Sequence, residues 1–191
     1  MTDTLTMERY LTDPLHLCGA AELSLDDVAS EIHAVASASR LTVWRRLKRL
    51  AQALSARGPR FSLHLTRSLS ARAYMKDRGD VFFSVGAILS RSPVVTLSVF
   101  CHEYAHLSLS YEAFYPALKE LNRQFKDTFS HIPHADLLSP IELCAMVRAV
   151  DLMERMQKSV ARTSAQKKLA LLIRTEKEKL SYLESQLKAL K

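Results

Sequence analysis

The chain has 191 residues, ample for one domain with a core of its own. Apolar residues make up 48% and charged residues 25%, and the four Gly and six Pro speak against a collagenous or low-complexity chain and for a helix-rich one. The formal net charge of +7 points first to a nucleic-acid or membrane-surface partner. Three cysteines (Cys18, Cys101, Cys144) are no disulfide framework. The amino terminus has no basic stretch followed by an apolar one and no apolar run is long enough to span a bilayer, so no secretory leader and a cytoplasmic protein without a membrane partner are expected.

Residues 1–21 have little pattern and read as a loose arm. A domain over residues 22–156 is expected to follow. Ser24 to Asp27 reads as a helix start, a hydroxyl cap followed by acids at the positive end of the helix. Apolar residues then recur at Val28, Ile32, Val35, Leu47, Leu50 and Leu54, and Gly58-Pro59 is the stop. The small-residue stretch 34–39 can divide this run into two helices. Residues 1–39 carry one Arg against seven acids, whereas residues 40–91 carry twelve basic residues against two acids. The charge is therefore segregated and needs reading block by block.

The period then changes to two. Phe61, Leu63 and Leu65 alternate with Ser62, His64 and Thr66, which predicts a half-buried strand. Residues 71–76 and 80–86 flank Asp77-Arg78-Gly79 and predict an antiparallel hairpin. Ser92-Pro93 opens a helix that is apolar nearly all round as far as Tyr111, hence a buried one. A further amphipathic helix is expected over 112–130, a loop over 131–138, and a helix opened by Ser139-Pro140 that runs to about Met156. Residues 157–191 are basic. Leu169, Ile173, Glu176, Leu180, Leu183, Leu187 and Leu190 there make a heptad seam with Glu176 as its flaw. That helix is expected to pack against the domain, or to serve a partner or a homodimer.

The chemistry is concentrated in the buried helix, in His102-Glu103-Tyr104-Ala105-His106. Histidines four apart stand one turn apart on one helix face and can grip one metal ion together. Glu103 between them can take a proton from a water on that metal. Imidazole with carboxylate suits zinc best among the common metals. A carboxylate in an apolar helix costs several kcal/mol, to order of magnitude, unless it is paired or used. Cys101 points about 100° away from His102 and reads as packing.

A helix, a short sheet ending in a hairpin, and then a helix bearing HEYAH resemble the minimal core of the zincin metallopeptidases. The run from Ala71 through His106 is similar to the ImmA/IrrE and SprT-like (including YgjP-like) zinc-dependent proteins. The resemblance covers residues 24–156, with HEYAH its specific part. It implies an α+β zincin-like fold: a small antiparallel or mixed three-stranded sheet on helices, an active-site helix, and here a long C-terminal helix. It also implies Zn2+ at His102 and His106, Glu103 as the catalytic general base, and a protein or peptide substrate bound as an extended strand along the sheet edge.

A catalytic zinc takes a third protein ligand. Glu142, at the start of the helix after the loop, is the choice, as in gluzincins. Ala145 and Ala149 on its face permit close approach to the HEYAH helix. A rival role for Glu142 is the capping box Ser139-x-x-Glu142. Glu112, His131 and His134 stay open as ligands, and Tyr111, Tyr115, His134 and Arg148 as oxyanion donors. The acid that follows the ligand by one turn in better-known gluzincins is Met146 here, so an acid that orients the histidines is missing or comes from Asp151. Two other readings compete with the hydrolase. One is a DNA-associated protein of winged-helix type, or a nucleic-acid binder using residues 40–91 and the basic tail. The other is a metal-binding scaffold without peptidase activity.

Overall fold

The computed structural model describes residues 5–18, 25–70, 73–76, 79–160 and 163–190. Within them the chain runs through α1 (Met7–Thr12), α2 (Ala29–Ala36), α3 (Val43–Ser55), β1 (Ser62–Thr66), β2 (Ala73–Lys76) and β3 (Asp80–Ser84). It continues through α4 (Val85–Ser90), α5 (Pro93–Leu109), α6 (Tyr115–Phe129), α7 (Pro140–Ser159) and α8 (Ser164–Lys188). The fold is α+β, with a small mixed sheet and a long C-terminal helix.

α5 is the element around which the others pack. Ser92 caps it by accepting from the Val95 N–H at 3.3 Å, and Pro93 fills the first turn. Val94, Leu97, Phe100, Cys101, Tyr104, Ala105, Leu107 and Leu109 are buried around it. α2, α3, α7, α8 and β2 all touch it. Phe100 and Tyr104 stack 6.0 Å apart, and Phe61, just before β1, packs against both. An apolar helix of this kind gains burial on every side at once, which holds the residues it carries in one place.

The sheet order is β1-β3-β2. β2 and β3 form the expected antiparallel hairpin, and β1 pairs parallel to β3, with Leu63 opposite Val81 and Leu65 opposite Phe83. β2 is therefore an edge strand, and it lies against α5. β3 stops at Ser84, two residues short of the hairpin limit expected from sequence. Its hydroxyl accepts from the Ala87 N–H at 2.9 Å and starts α4 instead. Gly86 is required there: a Cβ on it would lie 2.0 Å from the Leu69 carbonyl oxygen. Gly86→Ala is expected to cost about 2–3 kcal/mol through that overlap, read as a lower thermal or urea midpoint.

The helical stretch before the sheet is two helices, divided between Ala36 and Val43. A 3-10 turn at Asp26–Val28 leads into the first, and the Ser24 cap lies outside the described residues. Arg45, Lys48 and Arg49 sit on the exposed face of α3, opposite Leu47, Leu50 and Leu54. Residues 62–66, which a winged-helix reading would make part of a recognition helix, form strand β1.

The arm reading does not hold for residues 5–18. α1 carries Tyr10 and Leu11 into the core, Tyr10 meets Phe125 edge-on at 5.8 Å, and its hydroxyl donates to the Leu138 carbonyl at 2.5 Å. Six residues are too short a helix to show a periodicity, so burial comes from tertiary contacts alone. The heptad seam also packs within the chain. Leu169, Ile173, Leu180, Leu183 and Leu187 are buried, and α8 lies on α7, α5 and α1. Lys177 pairs with Glu154 of α7 at 2.5 Å. A dimer built on that seam would have to lift α8 off its own domain. No helix among the described residues is long and apolar enough to cross a membrane.

Candidate metal centre

His102 and His106 project from one face of α5, with ring centroids 4.8 Å apart and rings nearly perpendicular. Their Nε2 atoms are 3.2 Å apart. α7 crosses this face, its buried Ala145 and Ala149 giving it room to approach. Glu142, in the first turn of α7, places Oε1 3.1 Å from His102 Nε2 and Oε2 3.1 Å from His106 Nε2. The capping box is not made. The Ser139 hydroxyl donates to the Asp136 carbonyl at 2.8 Å and makes no cap bond. Asn122 Oδ1 accepts from the Ile141 N–H at 3.1 Å in its place. With that end of the helix served from α6, Glu142 faces the two imidazoles.

The donor set fits a zinc ion. Ligand atoms of His102, His106 and Glu142 lie within 4.8 Å of one another. Bonds of about 2.0–2.2 Å at tetrahedral angles put ligand atoms about 3.3–3.5 Å apart. The separations of 3.1 and 3.2 Å are close to that edge length. Two facing imidazole nitrogens and a carboxylate also offer more lone pairs than two ring protons can satisfy, which a cation resolves.

The charges of the cluster are coupled. Burial pushes Glu142 up, but hydrogen bonds from His102 and His106 and their charges outweigh it and hold the carboxyl below the usual range. Burial pushes His102 down, yet the Glu142 hydrogen bond and charge, with Glu103's charge, leave it raised, while Lys179 opposes. Glu103 is 7% exposed, and burial raises its carboxyl above the ordinary range. The two histidines and the Met75 backbone N–H of β2 pull the other way.

The remaining sequence candidates are placed elsewhere. Glu112 turns to Arg148, 2.9 Å from its Nη1. Arg148 is almost wholly buried, donates to the Cys18 carbonyl at 3.0 Å and lies over the Phe114 ring. It acts as a tie between segments. His131 and His134 are exposed on the loop, where His134 takes a left-handed backbone, φ 62°. Tyr111 is exposed, and neither it nor Tyr115 lines the cleft over His102 and Glu142. Asp151 pairs with Arg155 on its own helix at 2.8 Å. Cys101 donates to Met156 Sδ at 3.5 Å, and burial pushes its thiol up to about 12.

A cleft of about 370 Å³ opens over His102, Glu103 and Glu142. Ala73 of β2 forms one side, and Met146, Val150 and Met153 of α7 form an apolar wall. Glu176 and Lys179 of α8 also line it. Sequence reasoning passed over these two residues as site components. The signal was the flaw in the seam: a charged residue at a position that otherwise faces the core has another surface to face. No protein-family model, no curated protein and no solved structure matches this chain.

Proposed function

We propose that the chain is a cytoplasmic zinc-dependent metallopeptidase. The observation that carries the reading is the convergence of His102, His106 and Glu142 on one point, with the buried Glu103 beside them in an open cleft. Bound there, zinc would acidify a water and polarise a peptide carbonyl. The chain's own groups do the rest. Glu103 takes the water's proton and delivers it to the leaving amine. Burial raises its carboxyl above the ordinary range, which makes the carboxylate a stronger base.

Substrate placement follows from β2. β2 is the sheet edge that lies against α5, and its Ala73 lines the cleft over His102 and Glu103. A peptide laid antiparallel or parallel to that edge adds a strand through its backbone, whatever its sequence. Met146, Val150 and Met153 then favour an apolar side chain next to the scissile bond.

Elemental analysis of the purified chain is expected to find one zinc per molecule. Cleavage of an unfolded protein substrate should stop with a chelator and return with zinc. Absence of bound metal together with cleavage indifferent to chelator overturns the reading. Zinc affinity should also rise with pH. In the metal-free protein burial disfavours the proton on His102, the Glu142 hydrogen bond and charge favour it more, and zinc competes with that proton for the same nitrogen. Titration calorimetry over a range of pH is expected to show that affinity increase. An affinity independent of pH would contradict a cluster of this kind.

A further inference from the structure

Two of the three cysteines meet in the core. Cys144 Sγ lies 2.6 Å from Cys18 Sγ, and both residues are fully buried. Cys144 follows Glu142 by two residues, about 200° around α7, so it faces away from the metal centre. Cys18 ends the 3-10 turn His16–Cys18, which packs on α7. The contact joins positions 126 residues apart, and neighbouring bonds hold the two backbones together. Arg148 Nε donates to the Cys18 carbonyl at 3.0 Å, and the Cys18 thiol donates to the Pro14 carbonyl at 3.3 Å. Cys101 is engaged elsewhere, with Met156.

We propose that Cys18 and Cys144 are a disulfide-forming pair that closes when the protein meets a small-molecule disulfide, joining the N-terminal segment covalently to α7. With the segment lifted from the core, the Cys18 thiolate attacks one sulfur of the oxidant. A mixed disulfide forms and one small thiolate leaves. The Cys144 thiolate then attacks the Cys18 sulfur, the Sγ–Sγ bond forms and the second small thiolate leaves. The protein loses two electrons to the oxidant, and the two cysteine protons end on the two small thiols. Repacking then buries the bond, out of reach of exchange. In a reducing cytoplasm the pair is a dithiol, and oxidative load closes it.

The test uses the full chain, unfolded and refolded in an oxidised/reduced glutathione buffer, then denatured in excess alkylating reagent. One alkyl group, at Cys101, and a non-reduced peptide linking Cys18 to Cys144 are expected. The oxidised protein should melt about 5–10 °C above the reduced one, a rise that Cys144→Ala removes. Three alkyl groups, a glutathione adduct in place of the link, or a link to Cys101 overturns the proposal. If Cys144→Ala fails to fold, the wild-type peptide map still decides. The outcome does not depend on bound metal or on cleavage.

Discussion

Glu103→Gln is expected to lower peptide cleavage by about 10²–10⁴-fold and to leave the zinc content unchanged. Glutamine keeps the size and one hydrogen-bond acceptor of the side chain but takes up no proton from water. At about 1.4 kcal/mol per decade, the loss is about 3–6 kcal/mol of transition-state stabilisation. The metal should stay because Glu103 is not in the three-residue donor group. The fold should stay as well. Glu103 is 7% exposed and its carboxyl is raised by burial, so its charged form is costly where it sits. Glutamine removes that cost and should leave the melting temperature level or higher. Cleavage that survives the exchange would take the general base away from Glu103. A parallel loss of zinc would make Glu103 a ligand.

Glu142→Ala is expected to strip the metal. If about 10–16 kcal/mol of binding is shared among the ligands, losing one costs about 10²–10³-fold in affinity or more. Zinc measured after dialysis should fall well below one per chain, as with His102→Ala. His131→Ala and His134→Ala, changes to exposed loop residues, should keep it. The metal-free variant offers a second measure. Glu142 is what lifts His102 against burial, so its removal should lower the His102 pKa, followed by NMR. The linkage has a definite sign. A histidine whose folded pKa is raised contributes stability that is complete below its unfolded pKa of about 6.5 and is lost as pH rises through the folded value. Glu142, held low, contributes stability that is present above the unfolded carboxylate value and is lost as pH falls through the folded one. The variant should lack both. Full zinc retention by Glu142→Ala would refute its place as third ligand.

How far the sequence could be read depended on whether local rules spoke alone. HEYAH sits in an apolar run, and Ser92-Pro93 announces the helix that carries it. Period-two alternation marked β1, and the turn around Gly79 marked the hairpin. Each of these is a property of adjacent residues. The packed N-terminal segment was hidden, because α1 is six residues long and Tyr10 is buried by Phe125 and Leu138, more than 110 positions away. The parallel pairing of β1 with β3 is likewise non-local, and alternation is the same for parallel and antiparallel partners. At Glu142 a local rule and a tertiary one competed. Ser139-x-x-Glu142 satisfies the capping pattern, but two imidazoles across the helix interface attract a carboxylate more strongly than one backbone N–H does.

Over its described residues, Ala73–Lys76, β2 gives a visiting strand a modest hold through backbone pairing. Each hydrogen bond there is worth about 1 kcal/mol net, and even a millimolar complex needs ~4 kcal/mol. Under the proposed peptidase reading, the time an unfolded chain spends on this edge should therefore track what fills the methionine-lined wall of the cleft.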